Sequence, residues 1–271
     1  MSDFTISAEG RVREATVRDI VAKLKVRFPV PAPDATTGLV AAGWPVTDTL
    51  TIPASAPSGI YMAQLMATTG ADAGKASFVP IVVREPIGYR AKALVEVPVN
   101  TWQAYNGWGG KSLYAINSTG GVPAVKVSFH RPYLTTGSPM WWWDMYTDSP
   151  GVMDWEIQLY RFLEREGVDI SYQTNVDTVA NPASFLNRKT LIDAGHDEYW
   201  SKEEMDAWYA ARDSGVSLMF FGGSLAYWQS RYEDASRTLV EYRTPGSDPI
   251  ADQTKATYRF SVLGRPECQL I

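Results

Sequence analysis

TLIDAGHDEYWSKEEMDAWYAARDSGVSLMFFGG, residues 190–223, is the stretch whose pattern decides the fold. TLIDAG and SLMFFGG are nearly continuous apolar runs, as expected of strands buried on both faces. Ser201 opens the segment between them, and Glu204 follows three residues later, the spacing of a reciprocal capping box. Met205, Trp208 and Ala211 then share one helical face and can turn toward a sheet. Strand, capped helix and strand together make the repeating unit of a parallel sheet.

Working outward, MDWEIQLYRFLEREG carries apolar positions at Met153, Ile157, Tyr160 and Leu163, with Gly167 as a C-terminal stop, and predicts a second helix. DISYQT, ALVEVPV and VKVSF read as further strands, and the glycine-rich TWQAYNGWGGKSLY is expected to be irregular. The whole describes an α/β domain over residues 91–271, its parallel sheet covered on both faces. Ligand sites in such sheets lie beyond the carboxyl ends of the strands. Here those ends are AYNGWGG, AGHDEYWS and FGGSLAYW. Upstream, Thr49 to Val83 consists of short apolar bursts broken by Pro53, Pro57 and Gly59, the pattern of a sandwich. PVPAPDATTG reads as a surface loop, and residues 13–28 are ambiguous. Residues 1–90 are thus expected to form a small β-rich, sandwich-like domain, with the boundary between Glu85 and Lys92.

Composition narrows the chemistry. One cysteine, Cys268, excludes an internal disulfide and any cysteine cluster for zinc or iron–sulfur. Two histidines, His130 and His196, exclude a three-histidine metal site. A net charge of -5 argues against a nucleic-acid binder. No signal peptide is visible, and no apolar run approaches the ~20 residues of a membrane span. The protein is expected to be soluble and cytoplasmic. Nine of the ten Trp and twelve of the fourteen Tyr lie beyond Asn100, a density that calls for a core or a pocket wall.

AGHDEYWS is the richest candidate. In extended backbone His196 and Glu198 point the same way, placing an imidazole and a carboxylate in one cleft near a helix N-terminus. Such a pair can ligate a metal or share acid–base work, and equally can be a packed histidine beside a capping carboxylate. No cysteine stands on a turn after a strand and no G-x-S-x-G occurs, so covalent catalysis is the weaker mechanism. Ser224 follows a strand but has no histidine beside it in sequence. Tyr105, Tyr114, Tyr133, Tyr146 and Tyr199 all fall at strand ends or in loops. Phenolate is a hard anionic ligand suited to a ferric ion, so an iron site here would be built from Tyr with Glu or Asp. The WWW at Trp141 to Trp143 can wall an apolar pocket or pack against the first domain.

Several strings also carry a resemblance: NTWQAYNGWGGKSLY, SFHRPY, WEIQLYRFLEREGVDISYQTNVD, AGHDEYWS, FFGGSLAYW and GRPE. Together they resemble the C-terminal domain of the large (beta) subunit of N,N-dimethylformamidase and its relatives, over roughly residues 90–271. PSGIYMAQL and SFVPIVVRE echo the β domain that precedes it. The resemblance implies a glutamine amidotransferase-like (flavodoxin-like) fold without the catalytic cysteine. It also implies a mononuclear iron, Fe(III), held by two tyrosines and a glutamate, and hydrolysis of an amide to formate and an amine. The family's G-H-x-E motif falls on Glu198, with His196 as the neighbouring histidine. Tyr105 is the first choice of tyrosine ligand and Tyr133 the second; Tyr146 and Tyr114 are alternatives. Ser224 stands where the family often has asparagine in FGGN. Arg265 and Glu267 are additional candidates, and the chain stops inside a motif, as a compact or fragmentary member would.

The resulting expectation is metal-assisted hydrolysis of the C–N bond of a small amide. Tyr105, Tyr133 and Glu198 bind metal, His196 moves a proton, and Ser224 contacts the oxyanion. A homo-oligomer or a small accessory subunit is the expected assembly. The rival expectations are a non-catalytic α/β scaffold or subunit, and a carbohydrate- or peptide-binding module using the aromatic surface.

Overall fold

The structure is a computed structural model that describes residues 29–46, 49–66, 69–71, 73–74, 76–133 and 155–265. β1 (Gly59–Met66) and β2 (Ala76–Val83) form an antiparallel hairpin. β3 (Ala93–Val97) runs through Pro98 into α1 (Val99–Tyr105), and β4 (Lys126–Ser128) follows. Next come α2 (Ile157–Arg165), β5 (Ile170–Thr174), α3 (Asn175–Ala180) and β6 (Thr190–Gly195). β7 (Tyr199–Ser201), α4 (Lys202–Asp213) and β8 (Ser217–Gly222) complete the stretch read first. β9 (Trp228–Glu233), β10 (Thr238–Val240) and β11 (Tyr258–Arg259) close the described chain.

Two larger sheets result, one parallel and one mostly antiparallel. The first has the order β5-β3-β6-β8 with every pairing parallel. The second has the order β11-β9-β10-β4, and β7 joins β9 in parallel. In the parallel sheet side chains alternate between two buried faces. Val95, Val97, Ile192 and Ala194 pack with Ile157, Tyr160 and Leu163 of α2, and the hairpin adds Ile60, Met62 and Val82. Leu94 and Leu191 face the other way, onto Met205, Trp208 and Ala211 of α4. All three of those α4 side chains are fully buried. Losing one as large as Trp208 costs about 3–5 kcal/mol. Coverage thins at the outer strand, where Met219 and Phe221 of β8 are exposed.

The capping box of α4 is complete. Glu204 N donates to Ser201 Oγ at 3.1 Å and Ser201 N to Glu204 Oε2 at 3.3 Å. A second box, Thr174 with Asp177, starts α3. The helix read from MDWEIQLYRFLEREG is α2, with Gly167 at φ 69 just past its end; Met153 lies outside the described residues.

One segment differs from expectation. TWQAY is helical rather than irregular: Trp102 N bonds to Pro98 O and Asn106 N to Trp102 O, giving one buried turn and a half. Its residues are buried nearly all round, so no amphipathic period marks it. VKVSF is a strand as read, β4, and it belongs to the second sheet. Among the described residues the β-rich N-terminal segment holds one hairpin, and the ambiguous residues 13–28 lie outside them. The loop read from PVPAPDATTG is strapped to the second half by Val125 N, which donates to Thr37 O at 2.8 Å, and just beyond it Ala42 N donates to His130 O at 2.6 Å. Glu85, at the expected boundary, pairs with the buried Arg188 at 2.6 Å. No helix among the described residues is long and apolar enough to cross a membrane.

Candidate active site

The carboxyl ends of β6 and β8 meet through two glycines. A Cβ on Gly222 would lie 1.8 Å from the carbonyl oxygen of Gly195, so only glycine fits there. Gly195 has φ 82, and a Cβ on it would lie 2.5 Å from Glu156 Oε1. That crowded turn launches His196, Asp197 and Glu198 into β7. The backbone of Glu198 is clamped on both sides. Its N–H donates to Thr101 Oγ1 of α1 at 2.9 Å, and its carbonyl accepts from Tyr227 N and Trp228 N.

The alternation expected of an extended segment puts His196 and Glu198 together, Nε2 to Oε2 3.2 Å. Two phenols converge on the same oxygen: Tyr105, from the end of α1, donates at 2.9 Å, and Tyr114 at 2.5 Å. Their rings stack with centroids 4.1 Å apart. The other carboxylate oxygen accepts from Trp228 Nε1 at 2.9 Å. Tyr199, directly after Glu198, donates to the Tyr114 oxygen at 2.8 Å. His196 Nδ1 lies 2.9 Å from the Gly223 carbonyl, which only accepts, so Nδ1 carries a hydrogen and Nε2 faces the cluster. Nε2 is 3.2 Å from the Tyr105 hydroxyl. The Trp155 ring lies 6.2 Å from the imidazole.

Burial works against ionising Glu198, but the hydrogen bonds and charge of His196 and the two phenols outweigh it and hold the carboxyl below its ordinary range. Burial likewise opposes a charged His196, and Glu198 overcomes it, raising the imidazole above its ordinary value. Burial, then neighbouring negative charge, pushes Tyr105 and Tyr114 far up, so both are proton donors in the absence of metal.

Asp197 points the opposite way, into a second and fully buried acidic group with Glu96 and Glu204. One ligand atom from each lies within 4.8 Å of the others, so this set could in principle bind a metal ion. Its oxygens are already served. Asn175 Nδ2 donates to Asp197 at 2.8 Å and to Glu204 at 2.7 Å, Trp208 Nε1 to Glu96 at 2.9 Å, and Thr178 bonds to Glu96 as well. Asp193, in register with Glu96, lies on the same face. Burial raises the carboxyls of Glu96, Asp193, Asp197 and Glu204, and repulsion from neighbouring carboxyls of the group adds to it at Asp193, Asp197 and Glu204, which favours their protonated forms.

Of the residues singled out in the sequence, Tyr105, Tyr114, His196 and Glu198 are brought together. Ser224 sits next to Gly223 at the rim, exposed and at φ 56. Tyr133 packs on Trp102, with Gln103 and Arg131 beside its hydroxyl, and is pushed up to about 12, chiefly by burial. Arg265 pairs with Asp206 at 3.0 Å on the outer side of α4. Tyr146, Trp141 to Trp143, Glu267 and Cys268 lie outside the described residues. Sequence reasoning missed Trp228 and Thr101. Trp228 was within sight, since it ends the FFGGSLAYW string, but no local pattern ties an indole to a carboxylate thirty residues away.

Residues 8–271 match the family described as N,N-dimethylformamidase beta subunit-like, C-terminal. No curated protein matches the chain.

Proposed function

The chain belongs to the N,N-dimethylformamidase beta subunit-like C-terminal family, and from that premise we propose that it hydrolyses the C–N bond of a small amide at a metal held around Glu198. The observation that carries this reading is the convergence of two phenols and an imidazole on one carboxylate oxygen, at 2.9, 2.5 and 3.2 Å. Those separations approach the spacing of ligand atoms about 2 Å from a shared ion. The donor set is hard and oxygen-rich, as a ferric ion prefers. The residues therefore fit the group that the family implies.

Tyr105, Tyr114 and Glu198 would hold the ion. The resemblance favours Tyr133 as the second tyrosine, whereas proximity to Glu198 favours Tyr114. Bound there, a ferric ion supplies Lewis acidity for an amide carbonyl and lowers the pKa of a water molecule. His196, fixed by the Gly223 carbonyl, presents Nε2 to the cluster and holds the proton that a departing amine nitrogen needs. Ser224 and nearby backbone N–H groups contact the developing oxyanion. Trp155 limits water around a small apolar amide. The order β5-β3-β6-β8 corresponds to 2-1-3-4 within the sheet, which supports a flavodoxin-like, amidotransferase-like domain over residues 91–271. The hairpin would belong to a sandwich-like unit over residues 1–90.

The test is to purify the chain without chelator, supply ferric iron, and measure metal content, visible absorption and hydrolysis of N,N-dimethylformamide and related amides. Bound iron with a tyrosinate charge-transfer band is expected. Glu198→Ala should lower iron affinity and hydrolysis by at least about 100-fold. Parallel Tyr114→Phe and Tyr133→Phe variants identify the second ligand by which of them weakens and shifts the band, the Tyr105 contribution remaining in both. Colourless, metal-free, inactive protein would overturn the reading in favour of a non-catalytic scaffold.

A further inference from the structure

Arg243 has no part in the chemistry described above, yet it lies against two of the groups that hold Glu198. Its guanidinium carbon is 3.9 Å from the centre of the Tyr114 ring and 4.9 Å from that of Trp228. Tyr114 donates to one oxygen of Glu198 and Trp228 to the other. Arg243 Nη1 donates to the carbonyl of Leu113, the residue before Tyr114, at 2.9 Å. Its Nε has no hydrogen-bond partner among the described residues, so the guanidinium is committed to ring faces and one carbonyl rather than to a carboxylate. A half-buried cation over aromatic faces is screened less than one in water.

We propose that Arg243 is a positioning residue for the metal-loaded form of this site. Stacked on Tyr114 and Trp228, it fixes the donors to both oxygens of Glu198 and supplies positive charge beside a carboxylate and two phenolates. The inference rests on the reading of the site given under Proposed function. A planar guanidinium can lie flat on both rings while keeping its bond to Leu113; a lysine ammonium supplies charge without that stacking. With Tyr114 bound to the ion as a phenolate, its proton released to solvent, the cation above the ring would lower the energy of the phenolate electrons. Charge transfer from that phenolate to ferric iron then requires more energy with Arg243 present than without it.

The experiment titrates ferric iron into the metal-free wild type, Arg243→Met and Arg243→Lys, reading affinity by competition with a chelator and the visible band by absorption. Arg243→Met keeps the length and apolar stem while removing the charge. It should bind iron about 10–100-fold more weakly, as loss of an outer partner of a metal site does. Its band should move to longer wavelength, and Arg243→Lys should recover much of the band position but less of the affinity. Circular dichroism of the metal-free proteins checks folding, and if Arg243→Met is unfolded, the band and affinity of Arg243→Lys carry the comparison. Wild-type affinity and an unshifted band in every folded variant would overturn the inference alone. A wild type that binds no iron would overturn the site reading and this inference with it.

Discussion

Asp197 and Glu198 are consecutive, both are buried, and they are driven in opposite directions. Glu198 faces a histidine, two phenols and an indole, and its carboxyl is held below the ordinary range. Asp197 faces Glu96 and Glu204 in the buried interior, with an amide and a hydroxyl as donors, and its carboxyl is raised well above that range. Burial is the largest influence on each and has the same sign in both. The partners decide the outcome. One side of a two-residue step favours an anion with donors around it, and the other favours neutral carboxyls packed in a hydrogen-bonded network.

The sharpest way to break this contrast is at Asn175, which serves the Asp197 side alone. Its amide donates to Asp197 and Glu204 while its oxygen accepts from Asn100 N at 3.1 Å. Asn175→Leu strands three buried polar groups and should cost about 3 kcal/mol or more in urea unfolding. Unchanged stability would mean that this network is not what holds the β6–β7 step in place.

A smaller effect belongs to the Glu198 side and has a defined pH window in the metal-free protein. The raised His196 contributes stability in full below 6.5 and loses it as pH rises through its folded value. The lowered Glu198 contributes in full above 4.5 and loses it as pH falls through its folded value. The pair therefore stabilises most between 4.5 and 6.5. The stability difference between wild type and Glu198→Gln should peak in that window at about 2 kcal/mol and shrink on either side. A difference independent of pH would show that the two groups are not ionised together.

The smallest expected effect concerns Ser224, whose φ of 56 lies in the left-handed region that asparagine enters more readily than serine. Ser224→Asn should stabilise the fold by about 0.5 kcal/mol or less, measured as a shift in the unfolding midpoint. A loss of stability would indicate that the serine hydroxyl is required locally at this turn.

Much of the architecture was legible because it is written in short-range patterns. The apolar runs of β6 and β8, the Ser201–Glu204 box and the face of Met205, Trp208 and Ala211 each need only a few consecutive residues. The pairing of His196 with Glu198 was legible for the same reason, since strand alternation acts over two residues. α1 was not legible, because a seven-residue helix buried nearly all round has no polar face to give it a period. Nor was the sheet to which VKVSF belongs, because an isolated strand does not encode its neighbour.

The sequence by itself determined the chemistry on offer: one cysteine, two histidines, many tyrosines, and a G-H-x-E step at the mouth of a parallel sheet. Only the tertiary structure decided that Tyr114 and Trp228 take the two oxygens of Glu198, that Arg243 covers both rings, and that Asp197 turns away into a buried acidic cluster. The physical reason is range. Periodicity and capping act within a few residues, whereas the two phenols that help His196 hold Glu198 ionised come from 84 and 93 positions away, through contacts that no local pattern records.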